Sequence, residues 1–206
     1  MSQSDGATGL DTATIGAGMR VNQSAKWWPK VLVEKYDDDQ VSWVSRKSGV
    51  KVPQGDLLRS LVTPYATAES EGNLLLTAGL NRMTALIIAA GGQAGTNTAA
   101  RIGVGNSATA AAIGQTDLQA AAGAANRWFQ IMDATFPTQA NGVITYKATW
   151  ATGDGNFVWN EWGVDIGTPT VTSSAVVNAN MFNRAVASLG TKVSGSWVLT
   201  ATITIS

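Results

Sequence analysis

Residues 196–206 read SWVLTATITIS and alternate with a period of two. Trp197, Leu199, Ala201, Ile203 and Ile205 fall on one side, and Val198, Thr200, Thr202 and Thr204 on the other. That period marks a strand buried on one face. No Gly or Pro interrupts the run, which predicts a strand in the middle of a sheet. In VITYKATW (143–150) the same alternation sets Ile144, Tyr146, Ala148 and Trp150 against Thr145, Lys147 and Thr149. ARIGV (100–104), RWFQIM (127–132), FVWNEWGVDI (157–166) and VVNANMFNRAVASL (176–189) also have strand character, and Gly, Asn, Pro, Thr and Asp separate them. The predicted fold is mainly β: an antiparallel β-sandwich with one principal α-helix and an extended N-terminal arm.

The principal helix is read from GNLLLTAGLNRMTALIIAAGG (72–92), over about 77–90. Leu76, Leu80, Met83 and Ile87 recur at spacings of four, three and four, which places them on one face, read as core. Thr77 is the expected N-cap, and Gly91–Gly92 the stop. A second, short helix is expected near Leu118, in the Ala-rich stretch 106–126.

The front of the chain is different. KWWPKVLVEKYDDDQVSWVSR (26–46) reads as a hairpin with Asp37–Asp39 in its turn, followed by irregular chain through Gly49–Tyr65. A calcium loop needs spaced ligands, a Gly at its sixth position and a closing Glu, and this acidic run has none of them in place. Residues 1–26 are Ser, Gly, Ala, Thr and Asp around Leu10, Ile15, Met19 and Val21, without helical or strand period. The expected organisation is an arm over 1–26, a hairpin and irregular segment over 27–71, and a sandwich domain over 72–206. Trp27 and Trp28 are expected to anchor the arm, and the four apolar residues to touch a partner along an extended path.

Composition excludes several classes of function. Lys plus Arg is 14 and Asp plus Glu is 14, for a formal net charge of zero. Only 14% of residues are charged, against about a quarter in ordinary domains. A neutral chain has no broad electrostatic claim on nucleic acid or anionic membrane, so neither is expected as a partner. No apolar stretch is long enough to span a bilayer, and the first residues lack the basic and apolar regions of a signal peptide. Absent Cys and His remove thiolate nucleophiles, the Ser-His-Asp triad and the usual zinc ligands. No catalytic residue, metal or cofactor is therefore expected.

Three motifs invite chemistry. Gly103–Asn106, GVGN, lacks the phosphate-loop pattern and reads as a turn after a strand. Glu161 and Asp165 lie four apart on one strand, about 13 Å at 3.3 Å per residue, too far for either glycosidase geometry. Phe157, Trp159 and Trp162 offer surfaces for sugar stacking, but tryptophans are the largest contributors to core and interface burial, and the eight are read as packing. Glu161 shares the face of Phe157 and Trp159, and burial there demands a partner, for which Arg184 is the candidate.

Read in order, GNLLLTAGLNRMTALIIAAGG, ARIGVGNSATAAAIGQTDLQA, FVWNEWGVDIG and MFNRAVASLGTKVSGSWVLTATITIS resemble small virion proteins of tailed bacteriophages. The layout is similar to the collar module of phage tail fibres, in which a helix leads to a V-G-[DN] strand end, a T-x-L element, an E-x-G strand and a closing T-x-T strand. The resemblance covers about Gly72 to Ser206. No shaft-like segment follows the closing strand, which favours a compact accessory subunit. The resemblance implies a non-enzymatic structural protein located in the virion and assembled in the host cytoplasm. Its expected role is capsid decoration or minor capsid subunit, with a tail, collar or baseplate component as the alternative and a carbohydrate-binding module as the third reading. Other virion proteins and copies of the chain itself, as a homo-oligomer such as a trimer, are the expected partners.

Overall fold

Alternating side chains leave each strand with one apolar face, and two sheets of such strands bury those faces against each other. The computed structural model describes residues 27–166 and 181–205. Along the chain run β1 (Trp27–Tyr36), α1 (Asp38–Ser48), α2 (Gly55–Leu61), β2 (Ala66–Glu71), β3 (Leu74–Leu75) and α3 (Thr77–Ile87). They are followed by β4 (Arg101–Gly105), β5 (Arg127–Ile131), β6 (Thr138–Ala140), β7 (Val143–Trp150), β8 (Val158–Asp165), β9 (Asn183–Thr191) and β10 (Ser196–Ile205). One five-stranded sheet has the order β2-β1-β10-β7-β6, the other β3-β9-β8-β4-β5, and all pairings are antiparallel.

The uninterrupted last strand is central in its sheet, between β1 and β7. Its Trp197, Leu199, Ala201 and Ile203 meet Val31, Val33, Tyr146, Ala148 and Trp150 of the same sheet and Ile102, Val104, Trp159, Trp162 and Val164 of the other. Trp159 stands edge-on to both Trp150 and Trp197, with ring centroids 4.9 Å apart in each pair. Four of the eight tryptophans, Trp150, Trp159, Trp162 and Trp197, thus fill the space between the sheets. β1 pairs with β10 over its full length, so Trp27–Tyr36 belongs to the sandwich rather than to a separate front segment.

The front hairpin is not formed: its second arm is α1. Asp37 caps the helix by accepting from the Gln40 N–H at 2.8 Å, while the Gln40 side chain accepts from the Asp37 N–H at 3.1 Å. Asp38 and Asp39 lie in the first turn and Arg46 and Lys47 in the last, complementing the helix dipole, and Gly49 closes it in the left-handed conformation. These end signals outweigh the two-residue alternation of Val41, Trp43 and Ser45. Helices α1 and α2 cover the outer face of the first sheet through Tyr36, Val44, Leu58 and Val198. Ion pairs Arg59–Glu34 and Lys147–Asp56 fasten α2 to it.

Two further expectations are corrected. Residues 106–126 form turns and irregular chain with no helix, and Leu118 is buried against Leu76, Phe129 and Met181. In α3, Leu76 is the capping position, Thr77 the first helical residue, and the helix ends at Ile87, before the glycine pair. Of its expected core face, Leu76 is buried, but Leu80 is 46% and Ile87 78% exposed. The reason is Gly79: the helix sits so close to the Phe182 carbonyl that any Cβ would collide with it. Glycine, not leucine, therefore makes the inward contact.

Ile203→Ala should cost about 2–5 kcal/mol, and Leu80→Ala less than about 0.5 kcal/mol. Urea unfolding of both variants checks this, and equal losses would mean that α3 is turned the other way.

A second outcome concerns alkaline pH. Lys192 is buried, its Nζ donating to the Ala151 carbonyl and Asn156 Oδ1, both at 2.8 Å. Burial pushes its ammonium down to about 8 from 10.5, against the pull of Asp154 and Asp38. The folded chain therefore releases this proton first, and stability should rise with pH above about 8. Burial pushes Tyr36 and Tyr146 up to about 12 from 10, which reverses the slope above pH 10. Denaturant midpoints at pH 8 and pH 10 should rise in the native chain and much less in Lys192→Met; an unchanged slope in the variant would exclude Lys192 as the cause.

Candidate functional site

A bulge in β8 between Trp159 and Glu161 shifts its register against β9. Trp159 therefore points into the core together with Trp162 and Val164, whereas Glu161 faces the irregular segment 106–126. This corrects the expectation that Glu161 shares a face with Trp159. The Glu161 carboxylate is fully buried, and the backbone of Gly105 lies against it, where a Cβ would strike Oε1. Gly103 and Gly105 thus sit within a strand, not a turn, and give space to the Phe129 ring and to this carboxylate.

Glu161 and Arg184 are brought together, both with no exposed surface. Arg184 Nε donates to Glu161 Oε2 at 2.6 Å, while its Nη1 and Nη2 donate to Gln115 Oε1 at 2.9 Å and the Thr109 carbonyl at 2.7 Å. The Gln119 N–H donates to Oε2 at 2.9 Å, and that of Ala120 to Oε1 at 2.6 Å. Nearby, Arg127 donates to Asp117 Oδ2 at 2.7 Å, the Leu118 carbonyl at 2.9 Å, and the Ala120 carbonyl. Irregular backbone here takes its hydrogen bonds from two guanidinium groups and one carboxylate instead of from a helical ladder. Three donors, one of them cationic, thus converge on the two oxygens of this carboxylate. Its chemistry is to hold a loop.

Other buried charges are used in the same way. Asp133 accepts from the Gly55 N–H at 3.1 Å and Thr149 Oγ1 at 2.7 Å, and burial pushes its carboxyl up while these bonds hold it down. Asp165 is buried on β8 and pairs in register with Arg101 on β4. Nine of the 24 charged residues among the described residues are buried: Glu34, Arg101, Arg127, Asp133, Lys147, Glu161, Asp165, Arg184 and Lys192. Among the described residues no group of three or more His, Cys, Asp or Glu side chains could hold a metal ion.

Leu10, Ile15, Met19 and Val21 lie outside the described residues. Trp27 and Trp28, expected to anchor the arm, are consecutive residues of β1 and face opposite ways. Trp27 packs edge-on against Phe182, with centroids 5.4 Å apart, and donates to Asn73 Oδ1 at 2.8 Å. Trp28 is 61% exposed. Sequence reasoning missed an apolar groove of about 300 Å³ between α3 and β6–β7, walled by Met83, Leu86, Ile144, Ile166 and Phe182, with Arg82 and Tyr146 beside them. Its walls come from four distant stretches, so no local pattern announces it.

Protein-family models, curated proteins and solved structures give no match to the chain.

Arg184→Met should cost about 3–5 kcal/mol, since it leaves a buried carboxylate without its cation. Adding Glu161→Gln should restore part of the loss, because an amide oxygen still accepts from the loop while no charge is stranded. Urea unfolding reads both, and a loss below about 1 kcal/mol for the single variant would remove the pair from its structural role.

Proposed function

We propose that this chain is a non-enzymatic structural subunit of a tailed-bacteriophage particle, a capsid decoration or minor capsid protein that attaches through its N-terminal part and associates with copies of itself. The observation that carries the reading is an inversion of the usual surface. Among the described residues, nine of the 24 charged side chains are inside the fold, while Trp28, Leu80, Ile87 and Ile88 are exposed. A surface poor in charge and rich in apolar side chains resists association weakly, which suits a protein that works in an assembly. The buried carboxylates support the non-enzymatic part, because Glu161 and Asp133 are engaged by loop and helix backbone and by strand side chains. The order of sequence motifs that resembles a collar module supports a tail or collar position as the second reading.

Mass spectrometry of separated heads and tails from the encoding phage tests the proposal. Recovery with heads is expected. Recovery with tails alone would replace the first reading by the second, and absence from purified particles would overturn both.

A further inference from the structure

Asp133 has one carboxylate oxygen engaged and one free. Both donors, the Gly55 N–H at 3.1 Å and Thr149 Oγ1 at 2.7 Å, reach Oδ2. Among the described residues no donor reaches Oδ1 and no cation pairs with it, although the residue is only 4% exposed. Neighbouring Lys147 is taken elsewhere: it pairs with Asp56 and stands over the Phe136 ring, 4.3 Å from its centroid. Burial pushes the Asp133 carboxyl up and the Asp56 charge adds to this, against the pull of Thr149, Gly55 and Lys147. The ionised carboxylate is therefore short of positive charge.

Asp133 lines a cleft of about 360 Å³ built from residues 50–57 and 133–135. Asp56 is the second charge in its lining, and Val50, Val52 and Leu57 are its aliphatic part. The shape is fixed in advance. Gln54 Oε1 accepts from the Ala134 N–H at 3.0 Å, and Asn97 Nδ2 donates to the carbonyls of Asp133 at 2.9 Å and Phe136 at 2.7 Å. The lining residues lie away in sequence from both stretches outside the described residues.

We propose that this cleft is a socket for a lysine or arginine side chain presented by another protein, with the stem along Val50, Val52 and Leu57 and the cationic head on Asp133 Oδ1. Charge complementarity carries the inference, since the cleft is lined by two carboxylates and no cation. A hard metal ion asks for about six to eight oxygen ligands, and the aliphatic lining supplies none of them. A long basic side chain uses both halves, because its methylenes cover apolar surface while its head stays polar. Space is sufficient: the cleft holds the equivalent of roughly twelve waters at about 30 Å³ each. Val50 and Val52 are 42% and 58% exposed, an apolar rim that a neighbouring protein backbone would cover and a free amine would not. The socket does not depend on the particle reading, because its chemistry is the same whichever protein presents the cation.

Methyl and amide NMR of the full chain, titrated with a capped glycine–arginine–glycine peptide, tests this. Saturable shifts at Val50, Val52, Leu57 and Asp133 are expected, with a Kd on the order of 1 mM for a single side chain. The same peptide with citrulline, which keeps the shape and loses the charge, should bind about tenfold more weakly or worse. Asp133→Asn should weaken binding as much, while its amide oxygen still accepts from Gly55 and Thr149. Val52→Arg, at an exposed position, gives the cleft a cation of its own and should block the peptide with melting unchanged, so the test survives even if Asp133→Asn does not fold. Equal binding of the citrulline peptide, undiminished binding by Val52→Arg, or no shifts in the native chain would overturn the inference. Displacement of the peptide by millimolar calcium chloride would overturn it in favour of a metal site, and tighter binding of agmatine than of the peptide in favour of a small amine. Recovery of the protein from particles is untouched by any of these results.

Discussion

The carboxylate of Glu161 sets conditions that the surrounding structure must meet. An ionised group without exposed surface is too costly unless it is both paired and hydrogen-bonded, and here each requirement recruits a different part of the chain. The bulge in β8 turns the side chain away from the tryptophans. Gly105 leaves room for it, Arg184 on β9 neutralises it, and the N–H groups of Gln119 and Ala120 fill its remaining lone pairs. Through that one group, three strands and the irregular segment become mutually dependent. Removing any partner strands the others, which is why the pair acts more as a specification of one arrangement than as a source of net stability.

The first sheet poses a different physical problem. Its centre is β10, flanked by β1 from the start of the described chain and β7 from the middle. Neither flank is local, so their pairing must wait until most of the chain is available and loop-closure entropy has been met. The tryptophans supply the compensating burial. Trp150, Trp159 and Trp197 lie on β7, β8 and β10, so their edge contacts tie the two sheets together at the place where chain connectivity helps least. Aromatic burial of this kind contributes area and a preferred geometry at once.

The sheets were legible because one face of each strand is buried, and a period of two survives any details of packing. The centrality of β10 was legible too, from a run of ten strand residues without Gly or Pro. Where the reading failed, a short-range signal competed with periodicity and won. Val41, Trp43 and Ser45 alternate like a strand, but the Asp37–Gln40 capping pair and the charges at both ends make a helix there. Around Leu118 the composition favours helix, yet Glu161 and Arg127 offer the backbone better partners than its own ladder. The Glu161–Arg184 contact was legible from the chemistry of a buried acid, whereas the face it occupies was not, because a bulge leaves no mark in hydrophobic alternation.

The helix α3 shows why a correct period can still assign the wrong surface. Spacings of four, three and four place Leu76, Leu80, Met83 and Ile87 on one stripe, but periodicity is blind to what the stripe faces. A glycine in the next register, Gly79, allows a closer approach than any leucine, and backbone contact with Phe182 fixes the rotation of the helix. Half of the apolar stripe is then carried outward instead of inward. In a chain whose charges are largely scattered on its surface, such a ridge would be surrounded by solvated groups that discourage contact. Here nine of the 24 charges among the described residues are buried in loop and sheet contacts, and α3 carries only Arg82. The same choice that organises the interior with ionic groups leaves fewer of them on the described surface, so internal architecture and surface chemistry follow from one distribution of charge.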